Sequence, residues 1–426
     1  MFETIRNAWK IEDLRKKLIY TFIMLVIFRL GSWIPVPSLD PTAMSQLFAA
    51  NNSMFGFLDI MSGGALQQAT IFAMGITPYI NASIIMQLLC VAIPALERLQ
   101  KQGEEGRKAI AQIQRYATVV LALIQAVGLY FLLKSYGAVT TPGFGSAMII
   151  VITLSAGTAF LMWLGEQITE KGVGNGISLI IFAGIVSGIP SAITSLYNYI
   201  QNGEINWIMA IALVVLVILV VAFVVWITDA ERRIPVQYSK RVVGRKMYGG
   251  QSTHIPVKVN SAGVIPVIFA MSIMAFPGTI ASFFGVNADT PGFWGKFLYV
   301  FSGQSWIYAV LYFLLIIFFT YFYTTIQFNP IEMSNNMKKN GGFIPGIRPG
   351  KPTSDYIARV LSRITLAGAI FLGLIAILPI FMNLGLNIRN FSIGGTSLLI
   401  VVGVALETVK SLESQMLMRH YKGFLE

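Results

Sequence analysis

Residues 207–228 read WIMAIALVVLVILVVAFVVWIT, a run of 22 residues without a charged side chain. An α-helix rises about 1.5 Å per residue, so this run extends about 33 Å, which matches the roughly 30 Å hydrocarbon thickness of a bilayer. The sequence therefore predicts a transmembrane helix at 207–228.

Nine further apolar segments of similar character lie on either side of this one. They fall at 18–36, 71–93, 116–134, 147–165, 177–197, 261–284, 303–328, 364–384 and 393–409. The chain of 426 residues is 55% hydrophobic and only 12% charged, with a mean hydropathy of +0.69, which is far from the average of soluble domains. These features predict an all-α polytopic membrane protein with ten transmembrane helices.

The lysines and arginines indicate how the helices are oriented, because short cytoplasmic loops are enriched in these residues. With the N-terminus inside, 27 of the 31 Lys and Arg residues fall in the cytoplasmic segments, and only Arg29, Lys134, Lys296 and Arg389 do not. This distribution predicts a multi-pass membrane protein with both termini in the cytoplasm. It also accounts for the net charge of +12.

Two of the cytoplasmic segments, 229–260 and 329–363, are unusually long for connectors between membrane helices. The first alternates β-branched and basic residues around a predicted turn at Gly249-Gly250, and the second is rich in Gly and Pro and is predicted to be irregular. Together they form a basic platform suited to an acidic partner or to ribosomal RNA phosphates. Positive-inside bias alone is the alternative explanation for any single basic residue.

Residues for catalysis or metal binding are scarce. Cys90 is the only cysteine, and His254 and His420 lie in cytoplasmic segments without a nucleophile motif beside them. Ionisable residues mark ion and proton pathways when they lie within membrane helices, and the predicted spans contain almost none. The sequence predicts no cofactor, no metal and no enzymatic activity, and it disfavours a secondary transporter, the main alternative.

Residues 57–70, FLDIMSGGALQQAT, are half apolar and too short to cross the bilayer. Re-entrant backbone at membrane depth is tolerated only where protein or a water-filled cavity surrounds it. This segment therefore indicates a pore.

Several long motifs resemble those of one family. They are FRLGSWIPVP (28–37), MSGGALQQATIFAMGITPYINASIIMQLL (61–89), MWLGEQITEKGVGNGISLIIFAGIV (162–186), QSTHIPVKVNSAGVIPVIFA (251–270), FNPIEMSNNMKKNGGFIPGIRPG (328–350) and GGTSLLIVVGV (394–404). Through these motifs, and over essentially its whole length, the chain resembles SecY, the channel subunit of the bacterial Sec protein translocase. The resemblance implies two inverted five-helix halves, 1–200 and 201–426, around a channel in the inner membrane.

The resemblance also implies a pore ring and a plug. The ring is implied at Ile76, Ile80, Ile177, Ile181, Ile268 and Ile400. A narrow ring of aliphatic side chains excludes water and ions and offers no polar group that an unfolded chain could bind. The alternative is that these isoleucines only pack helices together, which is the commoner role of an isoleucine. A short re-entrant plug that seals the resting channel is implied at 57–67, including Phe57, Met61, Ser62, Gly63 and Gly64.

A lateral gate is implied between the second and seventh helices, with Ser83, Gln87 and Asn260 on its edges. Polar side chains inside membranes commonly form hydrogen bonds between helices. We therefore expect a bond between Gln87 and Asn260 to hold the seam closed, so that Asn260→Leu should let defective signal sequences pass.

The implied function is a protein-conducting channel that translocates unfolded secretory polypeptides and releases membrane-protein helices laterally into the membrane. The implied partners are SecE, SecG, SecA, the ribosome, signal peptides, nascent chains and membrane lipids. Docking of SecA or the ribosome is implied at Arg232, Arg233, Lys240, Arg245, Lys246 and Arg348. The resemblance further implies that the channel itself is passive and that SecA, the proton-motive force or the ribosome supplies the work.

Overall fold

The structure is a computed structural model of the chain. It describes residues 2–44, 59, 62–135, 137–203, 206–238, 241–243, 246–248, 252–283, 292–301, 305–386 and 395–422.

Most of the described chain is helical. The helices are α1 (Phe2–Lys10), α2 (Glu12–Gly31), α3 (Thr77–Ala92), α4 (Pro94–Gln100), α5 (Glu104–Ser135), α6 (Phe144–Lys171), α7 (Gly176–Ser187), α8 (Ile189–Gln201), α9 (Trp207–Asp229), α10 (Ile265–Phe283), α11 (Phe293–Val300), α12 (Trp306–Gln327), α13 (Pro330–Lys339), α14 (Lys351–Leu386) and α15 (Gly395–Lys422). Each of the ten segments predicted to cross a membrane contains at least part of one of these helices.

A stricter criterion for a membrane span requires one helical stretch to be both long enough and apolar enough to cross a bilayer. Within the described residues, six helical stretches pass it, and a seventh is obtained if α3 and α4, which are bent by 105° relative to each other, are counted as one broken span. The stretch Gly176–Gln201 that passes the test comprises both α7 and α8. The structure is thus a predominantly helical fold with several helices apolar enough to lie in a membrane.

Local sequence determines where several helices begin. The side-chain oxygen of Asn175 accepts hydrogen bonds from the amides of Ile177 and Ser178 at the start of α7. In the same way Asn329 caps α13, whose first residue is Pro330. Asparagine satisfies amides that have no partner within the helix, and proline at the first position loses no hydrogen bond.

The two long charged loops fold together into one unit. The strands are β1 (Glu231–Tyr238), β2 (Arg241–Val243), β3 (Lys246–Tyr248), β4 (Ser252–Lys258) and β5 (Gly342–Phe343). β1 pairs antiparallel with β4 and also with β5, which comes from the second loop, while β2 pairs with β3. The predicted turn at 249–250 lies outside the described residues.

The prediction that the second loop is irregular was wrong, because it contains α13 and β5. Met337 and Ile344 of this loop are buried against Ile234 and Val236 of β1 and against Ile357 of α14. Burial of these apolar side chains stabilises regular structure in the loop. The Gly and Pro content of the loop gave no sign of this structure.

Close helix packing depends on glycines at a few points. An added Cβ at Gly157 of α6 would lie 2.0 Å from the carbonyl oxygen of Ile71, so α6 contacts that backbone directly. Gly145 near the start of the same helix has no atom within 4 Å of an added Cβ.

We predict that Gly157→Ala lowers the stability of the protein in detergent by about 1–3 kcal/mol, because overpacking forces the two backbones apart. The measurement is the midpoint of thermal unfolding. Gly145→Ala is the matched control and should leave the midpoint within error. Equal midpoints for the two variants would contradict the close contact.

Candidate functional site

The six isoleucines of the predicted ring come from four helices. Ile76 precedes the first residue of α3 and Ile80 lies one turn further on, Ile177 and Ile181 lie in the first turns of α7, Ile268 lies in α10 and Ile400 in α15. Five are between 0 and 8% exposed and belong to the largest apolar cluster, and Ile177 is half-buried and packs against that cluster. The structure therefore brings all six to the same apolar region, where helices of both predicted halves meet.

The side chain of Ile177 also lies close to α6. An added Cβ at Gly165 would lie 2.4 Å from Cδ1 of Ile177, and an added Cβ at Gly176 would lie 2.0 Å from the carbonyl oxygen of Gly165. Glycine at both positions lets the start of α7 lie directly on α6. Helix packing is thus part of the role of Ile177.

The predicted plug is partly described. Phe57 and Met61 lie outside the described residues, whereas Ser62 is buried and Gly63 and Gly64 are half-buried. Asp59 is also described, and its backbone carbonyl accepts hydrogen bonds from the hydroxyl of Ser62 and the amide of Gly64, both at 2.9 Å.

The far end of this segment is fixed to the chain that follows α2. The amide of Ile71 donates to the carbonyl of Ile34 at 3.0 Å, and the amide of Val36 donates to the carbonyl of Ala69 at 2.8 Å. This non-helical stretch thus makes backbone hydrogen bonds to another segment of the chain.

The predicted gate residues lie on or next to two helices that pack together. α10 packs against both α3 and α5, and Asn260, 8% exposed, lies shortly before α10. Ser83 and Gln87 are half-buried on α3, where Nε2 of Gln87 is 3.5 Å from the hydroxyl of Ser83.

The expected hydrogen bond between Gln87 and Asn260 is not formed. Oε1 of Gln87 and Oδ1 of Asn260 are both buried and have no hydrogen-bond partner among the described residues. A bond between the two amides would require one of these oxygens as its acceptor. A buried carbonyl oxygen without a partner costs about 1–3 kcal/mol, so these groups destabilise the packed state instead of holding it together.

Three of the six predicted docking residues are described with their side chains, and they lie in the unit formed by the two loops. Arg232 and Arg233 are exposed on β1, and Nε of Arg233 donates to Oε1 of Glu231 at 2.8 Å. Arg348 is exposed before α14, and its carbonyl accepts the hydroxyl of Thr353 at 2.8 Å. Lys240 and Arg245 lie outside the described residues, as does the side chain of Lys246, whose backbone lies in β3.

Arg29 is not among the site residues predicted from the sequence. Its guanidinium Nη1 donates to the carbonyl of Gly63 at 2.9 Å and to the hydroxyl of Ser187 at 3.2 Å. The signal that could have found it is an ionisable residue inside a predicted span, which usually has an internal partner. Within the part of the chain that the structure describes, no group of three or more His, Cys, Asp or Glu side chains is arranged to hold a metal ion.

Comparison with known proteins agrees with the motifs. The family model SecY matches residues 70–409. A protein of Halalkalibacterium halodurans named protein translocase subunit SecY is 50% identical over the full length of both chains, and the Bacillus subtilis protein of the same name is 47% identical over the full length of both. The chain belongs to the SecY family.

Solved structures show that the SecY fold extends over nearly the whole chain. A structure described as that of a protein conducting channel aligns with a TM-score of 0.70 at 22% identity, covering 94% of this chain and 92% of that one. Sec61 from a canine ribosome-channel complex aligns with a TM-score of 0.67 at 20% identity over the same shares.

The unpaired side-chain oxygens of Gln87 and Asn260 reverse the effect expected for a substitution at the proposed gate. Leucine has nearly the shape of asparagine without its polar atoms, so Asn260→Leu removes a buried unpaired oxygen and should stabilise the closed seam by about 1 kcal/mol. We predict several-fold less export of proteins with defective signal sequences, measured in cells that depend on the variant.

Ser195→Ala is the control for this prediction, because Ser195 is exposed on α8, outside α3 and α10. It leaves the oxygens of Gln87 and Asn260 and the contact between Gln87 and Ser83 unchanged, and should not change export of the same substrates. More export through Asn260→Leu than through the unaltered protein would mean that the amide of Asn260 holds the seam closed.

Proposed function

We propose that the chain is the protein-conducting channel through which unfolded secretory polypeptides cross the inner membrane and from which membrane-protein helices move sideways into lipid. Its relatives are named protein translocase subunit SecY, and one structural neighbour is described as a protein conducting channel. The observation that carries the proposal is the convergence of isoleucines from α3, α7, α10 and α15 in one apolar cluster.

The topology that we propose has ten spans in two inverted halves, 1–200 and 201–426, with both termini in the cytoplasm. One support comes from contacts between the ends of the chain: the hydroxyl of Thr4 donates to Oε1 of Glu413 at 3.0 Å, and Nζ of Lys17 donates to Oε1 of Gln415 at 3.1 Å. These contacts place α1 and the last helix on one side of the fold.

A second support for this topology comes from the opposite end of the helices. The amide of Asp40, after α2, donates to the carbonyl of Ala138, after α5, at 3.0 Å. α2 and α5 therefore end on the same side, as expected if both run outward.

The mechanism follows from the chemistry of the proposed ring of six isoleucines. Aliphatic side chains offer no groups to replace the hydration shell of an ion, so a narrow collar of them opposes ion flow. The same side chains form no hydrogen bonds with a passing polypeptide, which can therefore slide. Segment 57–67 acts as a plug that fills the space beside this collar when no polypeptide is present.

Lateral release uses the seam between α3 and α10. The free energy of a hydrophobic signal sequence or membrane helix falls when it moves into lipid. The seam must open for such a segment to leave the channel. The unpaired oxygens of Gln87 and Asn260 lower the cost of opening, because both can bind water once the seam parts.

Energy and partners come from outside the chain. We propose that SecA, the proton-motive force or a translating ribosome drives transport, that SecE and SecG assemble with the chain, and that SecA and the ribosome dock on the sheet unit through its exposed arginines. Both long loops contribute to that unit, so a bound partner would contact them as one body.

Reconstitution tests the function directly. The chain, purified with a small subunit resembling SecE, is inserted into lipid vesicles and supplied with SecA, ATP and an unfolded secretory protein. We expect the secretory protein to become protected from added protease only when the complete set is present. Vesicles that never protect it would rule out the channel.

Arg348→Glu tests the docking surface. Reversing the charge of an exposed side chain has little effect on folding but replaces attraction with repulsion toward an acidic partner. We predict at least about a tenfold loss of SecA-driven transport with normal amounts of inserted protein.

Lys108→Glu is the matched control for this prediction, because Lys108 is an exposed basic residue at the start of α5, outside the two loops. It should transport normally. Equal transport by the two variants would remove Arg348 from the docking surface.

A further inference from the structure

Arg29 joins three separate parts of the fold. It lies in the last turn of α2, while Gly63 lies in the non-helical segment before α3 and Ser187 is the last residue of α7. Nη1 of Arg29 donates to the Gly63 carbonyl at 2.9 Å and to the Ser187 hydroxyl at 3.2 Å, and that hydroxyl donates to the carbonyl of Gly184 at 2.7 Å.

The backbone at Gly63 lies directly on the end of α7. An added Cβ at Gly63 would lie 3.0 Å from Cα of Gly184 and 3.2 Å from Oγ of Ser187. Gly63 also has a φ of +71°, a conformation that favours glycine. A side chain at this position would strain the backbone and press on α7, so glycine favours the close contact that leaves the carbonyl available to Arg29.

The two ends of segment 62–71 are held differently. Backbone hydrogen bonds to Ile34 and Val36 fix the end at 69–71, whereas a side chain, Arg29, holds the end at Gly63. A side-chain contact can be released while the backbone pairing remains. A hydrogen bond from a guanidinium donor is also stronger than one between two neutral groups.

We propose that Arg29 is the positioning residue that holds the proposed plug in its closed place, by bridging the Gly63 carbonyl to the end of α7. The proposal rests on the assignment of 57–67 as the plug. When the plug leaves, Arg29 loses the acceptor at Gly63, so the Arg29 contact shifts the equilibrium toward the sealed channel. Loss of one charge-assisted hydrogen bond changes such an equilibrium by about tenfold or more.

The experiment measures ion leak through the resting channel. The chain with its SecE-like subunit is reconstituted into vesicles, and chloride efflux is recorded without substrate, alongside SecA-driven transport of a secretory protein. We expect Arg29→Gln to raise the resting leak about tenfold while transport of a protein with an intact signal sequence is kept. Arg29→Lys, which keeps the charge and a donor, should leak less than Arg29→Gln.

Lys134→Gln is the control for loss of charge. Lys134 is exposed in the last turn of α5, and the chain after α5 pairs with the chain after α2, so both charges lie at the same end of the fold. This variant should not leak. A leak through Lys134→Gln equal to that through Arg29→Gln would overturn the proposal.

A second pair of variants leaves Arg29 intact. Gly63→Ala and Gly64→Ala both strain a positive φ, of +71° and +84°, but an added Cβ at Gly64 has nothing within 4 Å. We expect the larger leak from Gly63→Ala, because only it displaces the segment from α7. Equal leaks would contradict the proposed contact.

The remaining outcomes separate this proposal from the proposed function. If Arg29→Gln loses transport and membrane insertion together without a leak, Arg29 has only a structural role and the proposal is wrong. If the unaltered complex does not transport protein, the proposed function fails instead, whatever the leak of the variants.

Discussion

Backbone groups that enter a bilayer have no water to bind, so each must find a partner inside the protein. This constraint explains why nearly all apolar segments of the chain are helices. The segment 63–76, before α3, is not helical. Its backbone amides and carbonyls form hydrogen bonds with the chain after α2, with Asp59 and with Arg29 instead. An irregular segment that is satisfied in this way can lie at membrane depth, beside the apolar cluster to which α3, α7, α10 and α15 contribute.

The helical part of the fold could be predicted from sequence because its signal is local. Apolar runs near twenty residues long can be recognised without knowledge of their neighbours, and each of the ten contains at least part of a helix. The sheet unit could be predicted only in part. β1 and β4 follow the alternation of β-branched residues, but β5 has two residues, and its pairing with β1 depends on Met337 and Ile344 packing under a distant strand. Such long-range burial leaves no local pattern.

The candidate site, like the fold, could be predicted from the sequence only in part. The isoleucines were placed by motif, and their convergence on one apolar cluster fits that assignment, yet the contact of Ile177 with Gly165 depends on how closely α6 and α7 approach. Polar residues on gate helices were recognised, but whether Gln87 and Asn260 meet is a matter of rotamers that sequence does not encode. Arg29 was visible as an unusual charge, and only the fold reveals its acceptors at Gly63 and Ser187.

The central claim is that a translocating polypeptide passes among the six isoleucines. The most direct measurement is a cross-link from a stalled secretory chain to single cysteines placed on α10, with Cys90 replaced by alanine. Ile268 is 8% exposed and belongs to the apolar cluster, whereas Ile273 on the same helix is 37% exposed. We predict strong cross-linking to Ile268→Cys and almost none to Ile273→Cys. Equal yields at the two positions, or a higher yield at Ile273→Cys, would contradict it.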